Sequence, residues 1–413
     1  MFKLRFIISL LFCLATYSLF AQPLDYFLSK GLNNSPLLKD LQNQVSMATV
    51  DSIMIRANRK PQVNLNAIAM KAPFGNNFGY DDAITNGGTY SSTFGVSQNI
   101  FGRKILENKY EGVAIQKKSL QNTFKLSTND LRKAITNQYL TSLADYNDLE
   151  FNKNFFKLVG NEKDILKTLV EHGVYKQTDY LAFAIEAQNQ QLLINQLSFQ
   201  FQKDVRLLKI ICGINDTSKI SLIEPVIENN SELFNVEKSL LMQQFKIDSL
   251  KILNDKAAVD MRYKPKLNWI ADAGLISATP ANLYQHFGFS FGVGFTMPIY
   301  DGKQRHLDYQ KLSITEQTRT NYKNFNTNQI SGQYIQLKEE LQSLDEYDKL
   351  LNVQVKTAED LITLSKAQLN AGNMLVTDLI SALKNYNNIY HNLNQLKIAK
   401  LQVMNELEYL LQQ

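Results

Sequence analysis

The sequence predicts a mainly α-helical protein whose long antiparallel hairpins, packed as coiled coils, are joined to four strands of a membrane β-barrel. Three observations carry this fold class. Residues 287–297 alternate apolar side chains with glycine and hydroxyl, residues 103–212 and 301–413 contain no proline, and the chain repeats its own plan at an offset of about 200 residues.

The first observation sets the solvent. Successive strand side chains point to opposite faces. Phe287, Phe289, Phe291, Val293, Phe295 and Met297 therefore share one side, and Gly288, Ser290, Gly292, Gly294 and Thr296 share the other. A wall of phenylalanine backed by bare glycine suits lipid on one face and a water-filled lumen on the other. At roughly 3.3 Å per residue and a 35–45° tilt, eleven residues cover about 25 Å, the height of the apolar band of an outer-membrane barrel.

The elements follow in order. Residues 1–21 read as a signal peptide: Lys3 and Arg5 precede an apolar run from Phe6 to Leu14, and Ala21 stands before Gln22. Leu19 is an unusual residue at the minus-three position, so the cut could shift, and a short membrane anchor is the other reading of the run. A first repeat spans 22–230: a helix over 35–59, strands over 61–71 and 89–101, a helical hairpin over 103–212 and a linker over 213–230. A second spans 231–413: a helix over 232–262, strands over 264–275 and 287–299, and a hairpin over 301–413. Arg59-Lys60-Pro61-Gln62-Val63-Asn64-Leu65 recurs as Tyr263-Lys264-Pro265-Lys266-Leu267-Asn268-Trp269, and Gly173 with Thr178-Asp179 recurs as Gly372 with Thr377-Asp378. Self-similarity in the same order and spacing marks a duplicated architecture.

Proline breaks helix interiors, so its absence from the two hairpins predicts uninterrupted helices turning at Gly173 and Gly372. Leu379, Ala382, Tyr386, Ile389, Leu393, Leu396, Lys400, Val403, Leu407 and Leu410 keep a sustained 3–4 spacing, as do Leu337 to Leu369 on the outgoing helix. Such a repeat specifies supercoiled neighbours. The Asn, Gln, Lys and Glu of the remaining faces read as solvated.

Val63, Leu65, Ala67 and Ala69 alternate with Asn64, Asn66 and Ile68, Phe94, Val96 and Ile100 with Thr93, Gly95, Ser97 and Asn99, and Leu267, Trp269, Ala271 and Ala273 with Asn268 and Asp272. Residues 71–88 and 276–286 read as loops. Phe74, Phe78, Tyr80, Tyr90, Tyr284 and Tyr300 flank the apolar bands as a candidate interfacial girdle. Four strands cannot close a barrel, and open edges are excluded from lipid, so two or more copies must share one wall.

Composition narrows the function. The full-length net charge is +5, of which Lys3 and Arg5 supply two units, too mild a balance for a nucleic-acid partner. Cys212 is the one cysteine beyond the leader and reads as a small core residue. His172, His286, His306 and His391 lack zinc-ligand spacing. There is no phosphate loop, dinucleotide fingerprint or nucleophile elbow, so no enzyme, cofactor or metal is expected. Asp81-Asp82 reads as a solvated turn or a weak cation site.

The repeated order of helix, strand pair and hairpin, with Gly-x4-Thr-Asp turns at 173–179 and 372–378, resembles the TolC family of outer-membrane efflux proteins across the chain from Leu24 onward. The resemblance implies a homotrimer with a twelve-stranded barrel in the outer membrane of a Gram-negative bacterium and a helical tunnel in the periplasm. It implies a periplasmic adaptor and an inner-membrane transporter as partners in efflux or type I secretion. Gly173 and Gly372 would turn the hairpins at their periplasmic tips, and Thr178, Asp179, Thr377 and Asp378 would cap the returning helices. Asp378 would also narrow the mouth as an acidic ring. Ser381 stands where some members carry a second acid. A soluble periplasmic coiled-coil scaffold or adaptor would share the hairpins, yet has no use for the Phe-Gly strand.

Overall fold

The computed structural model describes residues 22–73, 78–81, 86–100, 102–218, 220–227 and 234–412. The expected signal peptide, Phe74 and Asp82 lie outside these residues. Helices α1 (Leu24–Asn34) and α2 (Pro36–Ala57) precede strands β1 (Gln62–Lys71) and β2 (Gly88–Ile100), then a hairpin of α3 (Arg103–Glu171) and α4 (Gln177–Ile211). The second half holds α5 (Leu240–Arg262), β3 (Lys266–Ser277), β4 (Phe287–Thr296) and a hairpin of α6 (Gln304–Asn370) and α7 (Val376–Gln412). The chain divides into two units, and each takes segments from both sequence repeats. Among the described residues, one comprises the chain up to Lys39, Lys125–Leu240 and the chain from Asn326; the other comprises Asp40–Phe124 and Leu241–Phe325.

The second unit holds the sheet. Its strands lie in the order β1-β2-β3-β4, every neighbour antiparallel. Pro61, Pro265 and Pro298 bracket the strands, because proline cannot donate to the ladder. Met297, expected within the last strand, falls one residue past its end, beside Pro298. The helix expected over 232–262 begins only at Leu240. A 3-10 turn, Val236–Lys238, precedes it, with the Asn235 side chain accepting from Glu237 N at 3.0 Å. Ser239 then leaves the helical region at ψ 149.

The first unit is a set of packed helices. The predicted stripe of α7 is buried or half-buried at every position, including Lys400, which reaches Asp345 of α6. A core of Phe27 from α1, Ile135, Tyr139 and Leu143 from α3, and Leu208 and Cys212 at the end of α4 anchors the N-terminal helix. Tyr139 Oη lies 3.0 Å from Gln22 O and 2.7 Å from Ile223 O, tying both flanking segments to α3. Burial pushes the Cys212 thiol up to about 11, so it behaves as the expected inert core residue.

The polar face of α7 overturns the solvated reading. Asn394 is 5% exposed and Asn405 6%. Asn387, His391, Asn394 and Asn405 meet α3 along one seam. Asn387 donates to Asn152 at 2.9 Å, and Asn405 to Asn137 at 2.8 Å. Asn394 donates to Asp148 at 2.7 Å and to the Ala144 carbonyl at 2.9 Å, while His391 Nδ1 lies 2.9 Å from Asp148. The physical reason is that α7 packs on α3 and α4 as well as on α6, so more than one of its faces is interior. Buried polar groups fix register where apolar side chains would slide.

Beside this seam, Asp145 of α3 is pushed up to about 8, first by burial and then by its hydrogen bond to Asp204 and the charges of Asp204 and Asp148, with Lys203 opposing. The folded chain thus holds a proton there that an unfolded carboxyl, near 3.8, has released. The associated stability is fully present below about pH 4 and is lost as pH rises through about 8. Asp145→Asn, which keeps a donor toward Asp204, should flatten that decline in a series of melting temperatures across this range. An unchanged slope would show that Asp145 does not hold the proton.

Candidate functional site

Two surfaces carry the sequence-predicted site residues: the strand faces and the hairpin tips. In antiparallel pairs, opposed residues share a face. The register therefore assembles rows across all four strands. Val63, Val96, Ala271 and Phe291 form one row, and Leu65, Phe94, Ala273 and Phe289 the next. Toward the helices, Ile100, Leu267 and Phe295 continue the same face. The opposite face carries Asn64, Gly95, Asp272 and Ser290, then Asn66, Thr93, Gly274 and Gly288. Ser290 and Asp272 are hydrogen-bonded there. Ile68, Met70 and Ile276, near the loops, and Ile270, toward the helices, are apolar exceptions on this side.

The apolar face is uncovered. Phe287, Phe289, Phe291, Val293, Phe295 and Met297 are all at least half exposed, with Phe289 at 86%. Val63, Leu65 and Phe94 exceed 60% as well. A contiguous apolar surface of this extent is rare on a soluble monomer. Of the expected girdle, Phe78, Tyr80, Tyr284 and Tyr300 are strongly exposed, and Tyr90 is half-buried at the end of a row.

The hairpin tips lie in the first unit and close alike. Gly173 has φ +75 and Gly372 φ +74, the left-handed conformation that glycine adopts without strain. Gly173 N donates to Val170 O and Val174 N to Leu169 O; Gly372 N donates to Leu369 O and Asn373 N to Gln368 O. This paired closure satisfies the last carbonyls of α3 and α6. Asp179 Oδ2 accepts from Lys176 N at 3.1 Å, fastening the start of α4. Thr178, Thr377 and Asp378 stand exposed in the same first turns. Among the described residues, the side-chain bond that closes α4 has no counterpart at Asp378. The threonines occupy the second helical position, past the point from which a side chain reaches back over the end.

One residue joins the two tips, and its type alone gave no signal of it. Tyr175 Oη lies 3.1 Å from Leu369 O and 3.0 Å from Met374 O, across from the first hairpin to the second. Beneath it, Leu166, Phe183, Leu369 and Leu379 are fully buried. Lys366 pairs with the buried Glu162 at 3.0 Å, and Lys384 with Glu186 at 2.9 Å, linking the hairpins again.

The helix-to-strand junctions of the second unit are also built. Tyr263 Oη donates to Asp301 at 2.6 Å, and Lys303 N and Arg305 N donate to the same carboxylate, which caps α6. These bonds, the tyrosine first, hold the Asp301 carboxyl below the usual carboxylate range. Arg262 pairs with Asp308, and Arg305 with Asp260.

Among the described residues, no group of three or more His, Cys, Asp or Glu is placed to hold a metal ion, and no helix is long and apolar enough to cross a membrane. No family model and no curated protein matches the sequence. Solved structures do. The outer membrane protein VceC from Vibrio cholerae superposes with a TM-score of 0.76 at 13% identity, covering 94% of this chain and 96% of that one. The Campylobacter jejuni CmeC outer membrane channel gives 0.75 at 12%, covering 94% and 85%. The open state of the Neisseria gonorrhoeae MtrE outer membrane channel gives 0.74 at 12%, covering 94% and 88%. The chain therefore has the fold of these outer-membrane channels.

Removing the tip bond tests the joint between the hairpins. Tyr175→Phe keeps the ring and deletes the donor, which should cost about 1 kcal/mol. Hydrogen exchange should quicken at amides 369–379 and stay unchanged in α1. Equal exchange at the tip in both proteins would mean that Tyr175 does not hold the hairpins together.

Proposed function

We propose that this chain is the exit duct of an export machine in the outer membrane of a Gram-negative bacterium. The observation that carries the reading is the sheet: four strands in register, apolar on one face, polar and glycine-rich on the other, with the outer edges of β1 and β4 unpaired. Lipid tolerates no open edge, so identical chains close the wall. Three copies give twelve strands with lipid outside and water within. Exposed apolar stripes on the helices fit the same assembly: Leu181, Ile185, Leu192 and Phe199 keep coiled-coil spacing on α4, as do Leu350, Val353, Leu361 and Leu364 on α6, and each suits a neighbouring copy.

The mechanism is conduction without bond-making. The hairpins extend into the periplasm, a periplasmic adaptor engages their tips, and an inner-membrane transporter supplies the energy for efflux or type I secretion. Gly173, Thr178 and Asp179, with Gly372, Thr377 and Asp378, form the gate and the adaptor contact. Opening is an untwisting of the tips, in which the inter-hairpin bonds of Tyr175, Lys366 and Lys384 are the contacts to be released. A soluble scaffold remains the competing reading, and the exposed phenylalanine face disfavours it.

Two experiments bear on this. Fractionation with cross-linking should recover the processed chain in the outer membrane as three linked copies, and Phe289→Arg should destabilise the inserted form by about 2–4 kcal/mol in refolding titrations. A monomer dissolved without detergent would end the proposal. Separately, cysteines placed at Asn373 and Gln177 of neighbouring copies should, once oxidised, abolish transport while leaving barrel assembly intact. Transport through a fully tied tip would refute gating there.

A further inference from the structure

We infer that the helix-junction end of the sheet binds anionic phospholipid headgroups, an inference that rests on the membrane reading above. Charge is divided sharply between the two ends of the strands. The junction segments 56–60, 101–107, 260–266 and 298–308 carry ten Lys and Arg against four Asp and Glu. The loop segments 71–88 and 276–286, at the other end, carry one, Lys71. The strand register fixes this polarity: Gln62 pairs with Ser97, Ile100 with Leu267 and Lys266 with Thr296, so all four junctions lie along one border of the sheet.

Part of this charge is used internally. Arg103 pairs with Glu107, Arg262 with Asp308 and Arg305 with Asp260. Among the described residues, no ion pair engages Arg59, Lys60, Lys104 or Lys303, and all four are exposed. They flank β1, β2 and β4, so the cations are spread along the border.

A second feature joins this border to the apolar face. Trp269 stands on that face, in the row of Val293. Its indole Nε1–H donates to Gln98 Oε1 at 3.0 Å, and Gln98 Nε2 donates to the Arg59 carbonyl at 2.7 Å. Tryptophan with an apolar body and a satisfied polar tip is the residue of the membrane–water boundary. Trp269 stands one row inside the last apolar row, Ile100, Leu267 and Phe295, so the headgroup level falls at the border just beyond it, where Arg59 and Lys60 lead into β1. Basic clusters beside a membrane segment attract anionic headgroups, each cation adding about fivefold in affinity. The occupant is the phospholipid of the leaflet facing the helices. The loop end, with Lys71 as its one cation, has far less to offer phosphate.

Trp269 is the only tryptophan in the sequence and reports on this border directly. The whole protein would be reconstituted into mixed phosphatidylcholine and phosphatidylglycerol vesicles, with bromine on the acyl chains of one lipid or the other. Brominated phosphatidylglycerol should quench Trp269 more strongly than brominated phosphatidylcholine at equal content. In native mass spectra, the detergent-extracted protein should retain phosphatidylglycerol over phosphatidylcholine. Combined Arg59→Gln, Lys60→Gln, Lys104→Gln and Lys303→Gln should reduce that preference at least about tenfold. Inorganic phosphate at millimolar concentration should leave it unchanged. Equal quenching by both lipids, a preference that survives in the variant, or loss to free phosphate would each overturn the inference. A chain that inserts and shows no headgroup preference sinks only this inference, whereas one that takes up no lipid sinks the channel reading with it.

Discussion

Backbone pairing is the constraint on which the rest of the molecule depends. Three strand interfaces are satisfied within the chain, while among the described residues β1 and β4 each present a free edge. In water a free edge is a liability managed by charge or cover. Here the flanking residues on one face are phenylalanine, valine and leucine, which invite neither remedy. Among the described residues, two strand edges are thus left without backbone partners, before any question of hydrophobic area arises. In the helical unit, Leu181, Ile185, Leu192 and Phe199 of α4 and Leu350, Val353, Leu361 and Leu364 of α6 are likewise left exposed.

The helical unit meets a different demand. Long coiled coils packed only through leucine have many near-equivalent registers, one heptad apart. The α3–α7 seam breaks that degeneracy, because Asp148 must find Asn394 and His391 together and Asn152 must find Asn387. A slip would strand a buried carboxylate, at a cost well above that of a displaced leucine.

Much of this was legible in the sequence where one residue type implied one environment. The alternation of Phe287 to Phe295 with glycine placed β4, proline placed the strand borders, and the 3–4 spacing of α7 named its buried stripe. Gly173 and Gly372 marked turns because their neighbours were uniformly helical. Elsewhere residue type was ambiguous. Asparagine on a helix reads as solvated unless the second neighbour is known, so the α3–α7 seam was invisible. Tyr175 looks like any tip tyrosine until the second hairpin's carbonyls stand beside it, 194 residues away in sequence. The late start of α5 depends on the local cap at Asn235, a short-range preference that the periodicity of 232–262 masked.

Glycine on the polar face of the sheet shows how fold and use can be told apart. At Gly274 a β-carbon would lie 2.2 Å from Ser92 O, so the close approach of β2 and β3 requires the missing side chain. At Gly288 and Gly292 nothing lies within 4 Å of that position. Packing asks for no glycine there, and strand propensity argues against it. Their effect is to leave the polar side of β4 flat while its other side carries phenylalanine. A soluble half-buried sheet has no reason to clear its wet face of side chains, whereas a wall around a conduit does, since each side chain removed widens the space it encloses.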